Sequence, residues 1–134
     1  MLPKRTFVFV SGTEPLAAAQ AAWSSPRPLD LCVAAPSRTA HETAAFACAG
    51  WHVRMLEEPL LSARWSGENG VDQTARKADA LRAVYALDTR CALVVWDTLD
   101  GWAALSPRGT NPVVLDESWL LDTAELIERH LPLP

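Results

Sequence analysis

Three short, strongly apolar runs recur along the chain: Thr6–Val10 (TFVFV), Leu31–Ala35 (LCVAA) and Ala92–Trp96 (ALVVW). None shows the alternation of polar and apolar residues expected of a strand with one wet face, so each reads as a strand buried on both faces. Such strands need helices above and below them, and parallel neighbours need helical crossovers of a dozen or so residues. The stretches between these runs are at least that long. The alternation therefore predicts an α/β fold with a mainly parallel sheet.

Local signals fill in the remaining elements. Ser11-Gly12-Thr13 breaks the first strand, Thr13 is the expected helix cap with Glu14 and Pro15 in the first turn, and the helix runs to about Trp23. The second strand ends at Pro36-Ser37, and a helix follows to Ala49, where Gly50 supplies a left-handed stop. A short third strand, His52–Met55, leads into an irregular stretch from Glu57 to Asp72, and loops of that length are often functional. An amphipathic helix over about Thr74–Leu87 keeps Ala78, Leu81, Val84 and Tyr85 on one face. After the Ala92–Trp96 strand, a short helix over Leu99–Leu105 stops at Ser106-Pro107. Val113–Leu115 and Trp119–Leu121 read as a hairpin around Asp116-Glu117-Ser118, with Asp122 and Glu125 as a capping box for a closing helix.

With 134 residues there is room for one domain, 1–134, and 49% hydrophobic with 21% charged residues is a globular composition. A net charge of −4 predicts no basic face, so nucleic acid is not an expected partner. The apolar runs fall far short of the roughly 20 residues a membrane-spanning helix needs, and no signal-peptide pattern opens the chain. A cytoplasmic location is the expectation. Cys32, Cys48 and Cys91 are odd in number and form no Cys-x-x-Cys motif, so they read as buried free thiols rather than as disulfides or zinc ligands. His52 and His130 have no ligand-like companion one helical turn away, and neither a metal nor a cofactor is expected.

Two strings narrow the picture. Ala35–Ala44 (APSRTAHETA) follows a strand and is similar to the Ser-Pro-x-x-Arg-Ala-x-x-Thr-Ala segment of the histidine phosphatase (phosphoglycerate-mutase-like) superfamily. Trp119–Leu126 (WLLDTAEL) resembles that superfamily's C-terminal Trp-strand followed by Asn-Asp-Thr-Ala-His-Leu. Gly12, after the first strand, sits where the Arg-His-Gly signature belongs, and Val94–Asp97 where the second catalytic histidine follows its strand. The resemblance covers nearly the whole chain and implies a three-layer α/β/α sandwich.

It also implies a chemistry that these residues do not carry. The nucleophilic histidine position is Ser11, the adjoining arginine is Val10, the second histidine is Asp97, and the arginine of the second string is Thr39. The carboxylate expected in the long loop falls near Ser62, with Glu57, Glu58 and Glu68 close by. Phosphoryl transfer is mostly positioning and electrostatic stabilisation of about two negative charges. Val and Thr lack the bidentate donors of arginine, Asp97 adds a like charge, and a serine forms no phosphohistidine.

The expectation is a phosphatase-like domain without phosphatase activity, acting as a binding or interaction module. Its cleft is Ser11, Gly12, Thr13, Arg38, Thr39 and Asp97, and its partner a small anionic ligand or a protein. Gly12 and Thr13 at one helix start, with Arg38 near another, can hold an anion through backbone N–H groups; the plainer reading is an empty cap with Arg38 in water. The alternative is a repurposed or residual phosphatase or hydrolase using Ser11 and Asp97, with His41 completing a relay, though no Gly-x-Ser-x-Gly elbow is present. A third reading is a flavodoxin-like domain whose phosphatase strings are accidental, and it predicts that the strands ending at Val10 and Trp96 are not neighbours. Of the six tryptophans, Trp96 is expected in or beside the crevice. Trp51, Trp65, Trp102 and Trp119 read as core and edge packing in preference to an exposed interaction surface. Oligomeric state is left open.

Overall fold

A computed structural model of the chain describes residues 5–25, 27–62, 70–97 and 113–130. The strands are β1 (Thr6–Ser11), β2 (Leu31–Ala34), β3 (Arg54–Glu57), β4 (Cys91–Trp96) and β5 (Val113–Asp116). The helices are α1 (Pro15–Trp23), α2 (Arg38–Ala47), α3 (Gly70–Tyr85) and α4 (Glu117–His130), and a single 3-10 turn spans Pro59–Leu61. The five strands form one sheet in the order β3-β2-β4-β1-β5. The first four run parallel, and β5 lies antiparallel to β1.

The three apolar runs occupy the middle of this sheet, and β2 and β4 are buried at every position. The outer strand β3 is exposed at every position, with Arg54 and Glu57 at its ends, which suits an edge that must not recruit another chain. The crossovers β1→β2 and β2→β3 travel one way across the sheet and β3→β4 travels back. Right-handed crossovers then set α1 and α2 on one face and α3 on the other, and α1 packs on α2 while α3 packs on α4. The result is an α/β sandwich.

The two faces differ in kind. α1 and α2 bring mainly alanines to the core (Ala18, Ala21, Ala22, Ala40, Ala44 and Ala47, with Thr43), whereas α3 and α4 add the larger Leu81, Val84, Leu120 and Ile127 to Ala78, Ala80 and Ala124. Arg5 clasps the second face. It binds Glu117 Oε2 through Nε at 2.5 Å and the Leu87 carbonyl through Nη1 at 2.9 Å. Its guanidinium lies 4.6 Å from the Tyr85 ring centre, so the start of β1 is tied to the end of α3 and the start of α4.

Several expected boundaries move. β3 begins two residues later than His52. α2 begins at Arg38 with Ser37 as its cap, whose Oγ accepts from the Ala40 N–H at 3.1 Å, and Gly50 takes the expected left-handed conformation at φ +82°. The cap position of α1 is Glu14, not Thr13, because the Thr13 hydroxyl is turned back onto Ser11. α3 begins at Gly70 rather than Thr74.

The larger correction is at Trp119–Leu121, which is helix, not the second strand of a hairpin. Asp116 Oδ1 accepts from the Ser118 hydroxyl at 2.7 Å and the Trp119 N–H at 3.1 Å, which starts α4 there. Leu120, Thr123, Ala124 and Ile127 then form its buried stripe, and the Asp122/Glu125 pair falls inside the helix instead of capping it. The short helix expected over Leu99–Leu105 lies outside the described residues. Cys32, Cys48 and Cys91 are free and buried. Among the described residues, no helix is long and apolar enough to cross a membrane.

Candidate functional site

β1 and β4 are hydrogen-bonded neighbours in parallel register, with Val10 opposite Val95 and Ser11 opposite Trp96. Ser11 and the half-buried Asp97 therefore leave the sheet side by side, at the carboxyl ends where open α/β sheets usually bind ligands. The separation of these strands that an unrelated flavodoxin-like domain predicts is not found.

Gly12 makes this corner. Its N–H donates to the Trp96 carbonyl at 2.6 Å, and its own carbonyl accepts from the buried Thr43 hydroxyl at 2.6 Å. A Cβ at position 12 would stand 2.6 Å from the Trp96 oxygen, 3.0 Å from Ala40 Cα and 3.1 Å from Ala40 Cβ. Only a residue without a side chain lets β1 turn between β4 and α2 here. Ser11 is 2% exposed. Its Oγ lies 2.8 Å from Thr13 Oγ1 and accepts from the Thr13 N–H at 3.2 Å, so the hydroxyl holds the turn in shape.

Beside this corner lies a cleft of about 320 Å³ between the start of α1 and the flank of α2. Gly12, Thr13, Pro15, Thr39, Glu42, Thr43 and Phe46 line it. Three of the expected site residues, Gly12, Thr13 and Thr39, are thus brought together. Arg38 is turned outward: its side chain is 92% exposed and its Nε meets Glu42 Oε1 at 2.8 Å on the outer surface of α2. Among the described residues lining the cleft, Glu42 is the one ionisable side chain.

His41 points to a third strand. Its Nε2 lies 2.9 Å from Glu57 Oε1, linking α2 to the end of β3, with both side chains about half exposed. Glu58 caps the 3-10 turn, accepting from the Leu60 N–H at 3.1 Å. Glu68 lies outside the described residues. Trp96 is buried on the sheet, edge-on to Phe9 with ring centres 4.6 Å apart, so it belongs to the core beneath the crevice. Trp51 sits against the strongly exposed Trp23 on α1, Trp119 is half-buried against the core, and Trp65 and Trp102 lie outside the described residues.

Two features escaped the sequence reading. Arg76 on α3 is 5% exposed and donates through Nη1 to the carbonyls of Leu60 at 2.9 Å and Ser62 at 2.5 Å, pinning the 3-10 turn to the helix. Its signal was available, because it shares the inward stripe of Ala80 and Val84. A second cleft, of about 420 Å³, opens at the opposite end of the sheet among Arg27, Pro28, Asp30 and Arg90. There Asp30 accepts from the Thr89 hydroxyl and from the Arg90 N–H, so its carboxylate joins the starts of β2 and β4.

Among the described residues, no group of three His, Cys, Asp or Glu side chains could hold a metal ion. No family model, curated protein or solved structure matches this chain.

Proposed function

We propose that the chain is a histidine-phosphatase-like domain that has kept its crevice, lost the phosphoryl chemistry and works in the cytoplasm as a binding module. The observation that carries this reading is the pairing of β1 with β4. It puts Ser11 and Asp97, at the two positions where the resemblance expects catalytic histidines, on the ends of neighbouring strands. Histidine-based phosphoryl transfer needs a nucleophilic imidazole and cations around the transferred group. Here the hydroxyl of Ser11 is committed to the turn, Thr39 lines the cleft where an arginine is expected, and Arg38 faces water.

The wall chemistry favours a particular kind of ligand. Thr13, Thr39 and Thr43 bring hydroxyls, Pro15 and Phe46 bring apolar surface, and Arg38 neutralises Glu42 from outside. Such a cleft has no surplus positive charge for a phosphate. It suits a small hydroxyl- or amine-bearing molecule with an apolar side, rather than the anion expected from the helix starts alone.

The test combines hydrolysis of p-nitrophenyl phosphate with thermal shifts in phosphate, vanadate, phosphomonoesters and small amino alcohols. A ligand at 100 times its dissociation constant stabilises a fold by about 2.7 kcal/mol, which moves the melting point by several degrees in a domain of this size. The expected result is no hydrolysis, no shift with the anions, and shifts confined to amino alcohols. Turnover of a phosphomonoester that is abolished by Ser11→Ala or Asp97→Asn refutes the binding-module reading in favour of a hydrolase.

A further inference from the structure

The second cleft, of about 420 Å³, opens at the end of the sheet away from Ser11 and Gly12, among Arg27, Pro28, Asp30 and Arg90. The sheet fixes its backbone. The Arg90 N–H donates to Asp30 Oδ2 at 2.9 Å, and the Arg90 carbonyl accepts from the Thr6 N–H at 2.9 Å. The Asp30 N–H donates to the Cys91 carbonyl at 3.0 Å. Arg27 is held through Ser25, whose hydroxyl donates to the Arg27 carbonyl at 2.5 Å and lies 3.1 Å from Cys91 Sγ.

The cations of this cleft differ from those elsewhere in the fold. Among the described residues, Arg5, Arg38, Arg54, Arg76, Arg82 and Arg129 each donate from the guanidinium to a carboxylate or a backbone carbonyl. The guanidiniums of Arg27 and Arg90 make no such bond among the described residues, and both stand in this one cleft. The carboxylate beside them is partly spent, since Asp30 accepts from the buried Thr89 hydroxyl and from the Arg90 N–H. A chain with a net charge of −4 thus gathers two uncommitted guanidiniums at one end of its sheet.

We propose that this cleft is a binding site for a small aromatic monocarboxylate, held through its carboxylate by Arg27 and Arg90. A guanidinium presents its donors as a rigid fork that matches the two oxygens of a carboxylate. Two guanidiniums and one aspartate leave a single positive charge, which one carboxylate neutralises. A phosphomonoester, with nearly two negative charges, leaves an excess beside Asp30. The Pro28 ring and the methylene stems of the two arginines offer apolar wall, and guanidinium planes stack on aromatic faces. Because the backbone around the cleft is already bonded into the sheet, binding orders little beyond the two arginine side chains.

The experiment titrates the isotope-labelled full chain with naphthoate, naphthyl phosphate and naphthylmethylamine while backbone amide resonances are followed. The expected result is saturable shifts with naphthoate at Arg27, Asp30, Thr89 and Arg90 and none at Gly12 or Thr39, weaker binding of the phosphate ester, and no response to the amine. Arg27→Met and Arg90→Met should each weaken naphthoate by about tenfold. Both should keep the parent melting point, because neither guanidinium bonds the fold. Arg38→Met should bind as the parent does. The proposal is overturned if millimolar naphthoate gives no saturable shift, or if the shifts gather at Gly12 and Thr39. It fails equally if the phosphate ester binds as tightly as naphthoate, or if the two methionine variants keep the parent affinity.

Discussion

Replacing Gly12 with alanine adds one methyl group where three elements meet. Its Cβ would stand 2.6 Å from a backbone oxygen of β4 and 3.0 Å from a backbone carbon of α2. Neither neighbour is the free end of a flexible side chain, so relief requires the helix or the strand end to move. Moving α2 stretches the 2.6 Å bond from Thr43 to the Gly12 carbonyl, and moving β4 strains the 2.6 Å bond from the Gly12 N–H. Overpacking of one methyl costs about 1–3 kcal/mol, and a loosened buried hydrogen bond adds about 1 kcal/mol. The stiffer unfolded chain returns about 0.4–1 kcal/mol. The net expectation is a loss of about 1–3.5 kcal/mol, which for a domain of this size lowers the melting point by roughly 5–15 °C. Circular dichroism melts, with urea titrations at unchanged slope, measure it. A Gly12→Ala protein that melts together with or above the parent would refute the reasoning, since α2 could not then be resting on this corner.

Gly50 supplies the contrast, because it sits at φ +82° with nothing within 4 Å of an added Cβ. Gly50→Ala should cost about 1 kcal/mol through backbone strain alone, and Gly50→Asn should recover much of it, as paired urea titrations would reveal. Arg76→Met removes the donor that serves the carbonyls of Leu60 and Ser62 and should destabilise by about 2–4 kcal/mol, with proteolysis at Pro59–Ser62 rising in step. Alkali should weaken the fold through Cys91, whose thiol burial pushes above its ordinary value of 9.0. The unfolded chain then loses its proton first, so stability is whole below about pH 9 and falls as pH climbs toward the folded-state value. Cys91→Ala should flatten that limb in urea titrations across the range. An unchanged slope would show that the folded and unfolded thiols titrate alike.

How far the chain could be read depended on contrast between neighbouring residues. The three central strands were legible because no other element of that length is so uniformly apolar. The edge strand was displaced by two residues because Arg54–Glu57 is exposed throughout, which leaves no buried side for a pattern to mark. At Trp119–Leu121 three adjacent apolar residues fit a strand as well as a helix. What decided the matter was the hydrogen bonding of Asp116, a local effect that the apolar count does not contain. In the site, the proximity of Ser11 and Asp97 was an expectation of the resemblance and not of any local pattern, and Thr39 lines the same cleft as Gly12 and Thr13. The direction of Arg38 depended on a partner one helical turn on, at Glu42, and that spacing was visible in the sequence. The second cleft was not legible, since Arg27 and Arg90 become neighbours only when β2 and β4 pair.

The strand order has a kinetic meaning. β1 is made before the other four strands, yet both its neighbours, β4 and β5, come from far later in the chain. While β2 and β3 can pair as soon as they emerge, the TFVFV run of β1 waits with two open edges until Cys91–Trp96 has left the ribosome. Contacts that bridge so much sequence slow folding and lengthen the time for which sticky segments stay uncovered. Nascent chains halted before Cys91 should therefore be chaperone clients, and the commitment to fold falls late, when β4 slides between two strands that were made long before it.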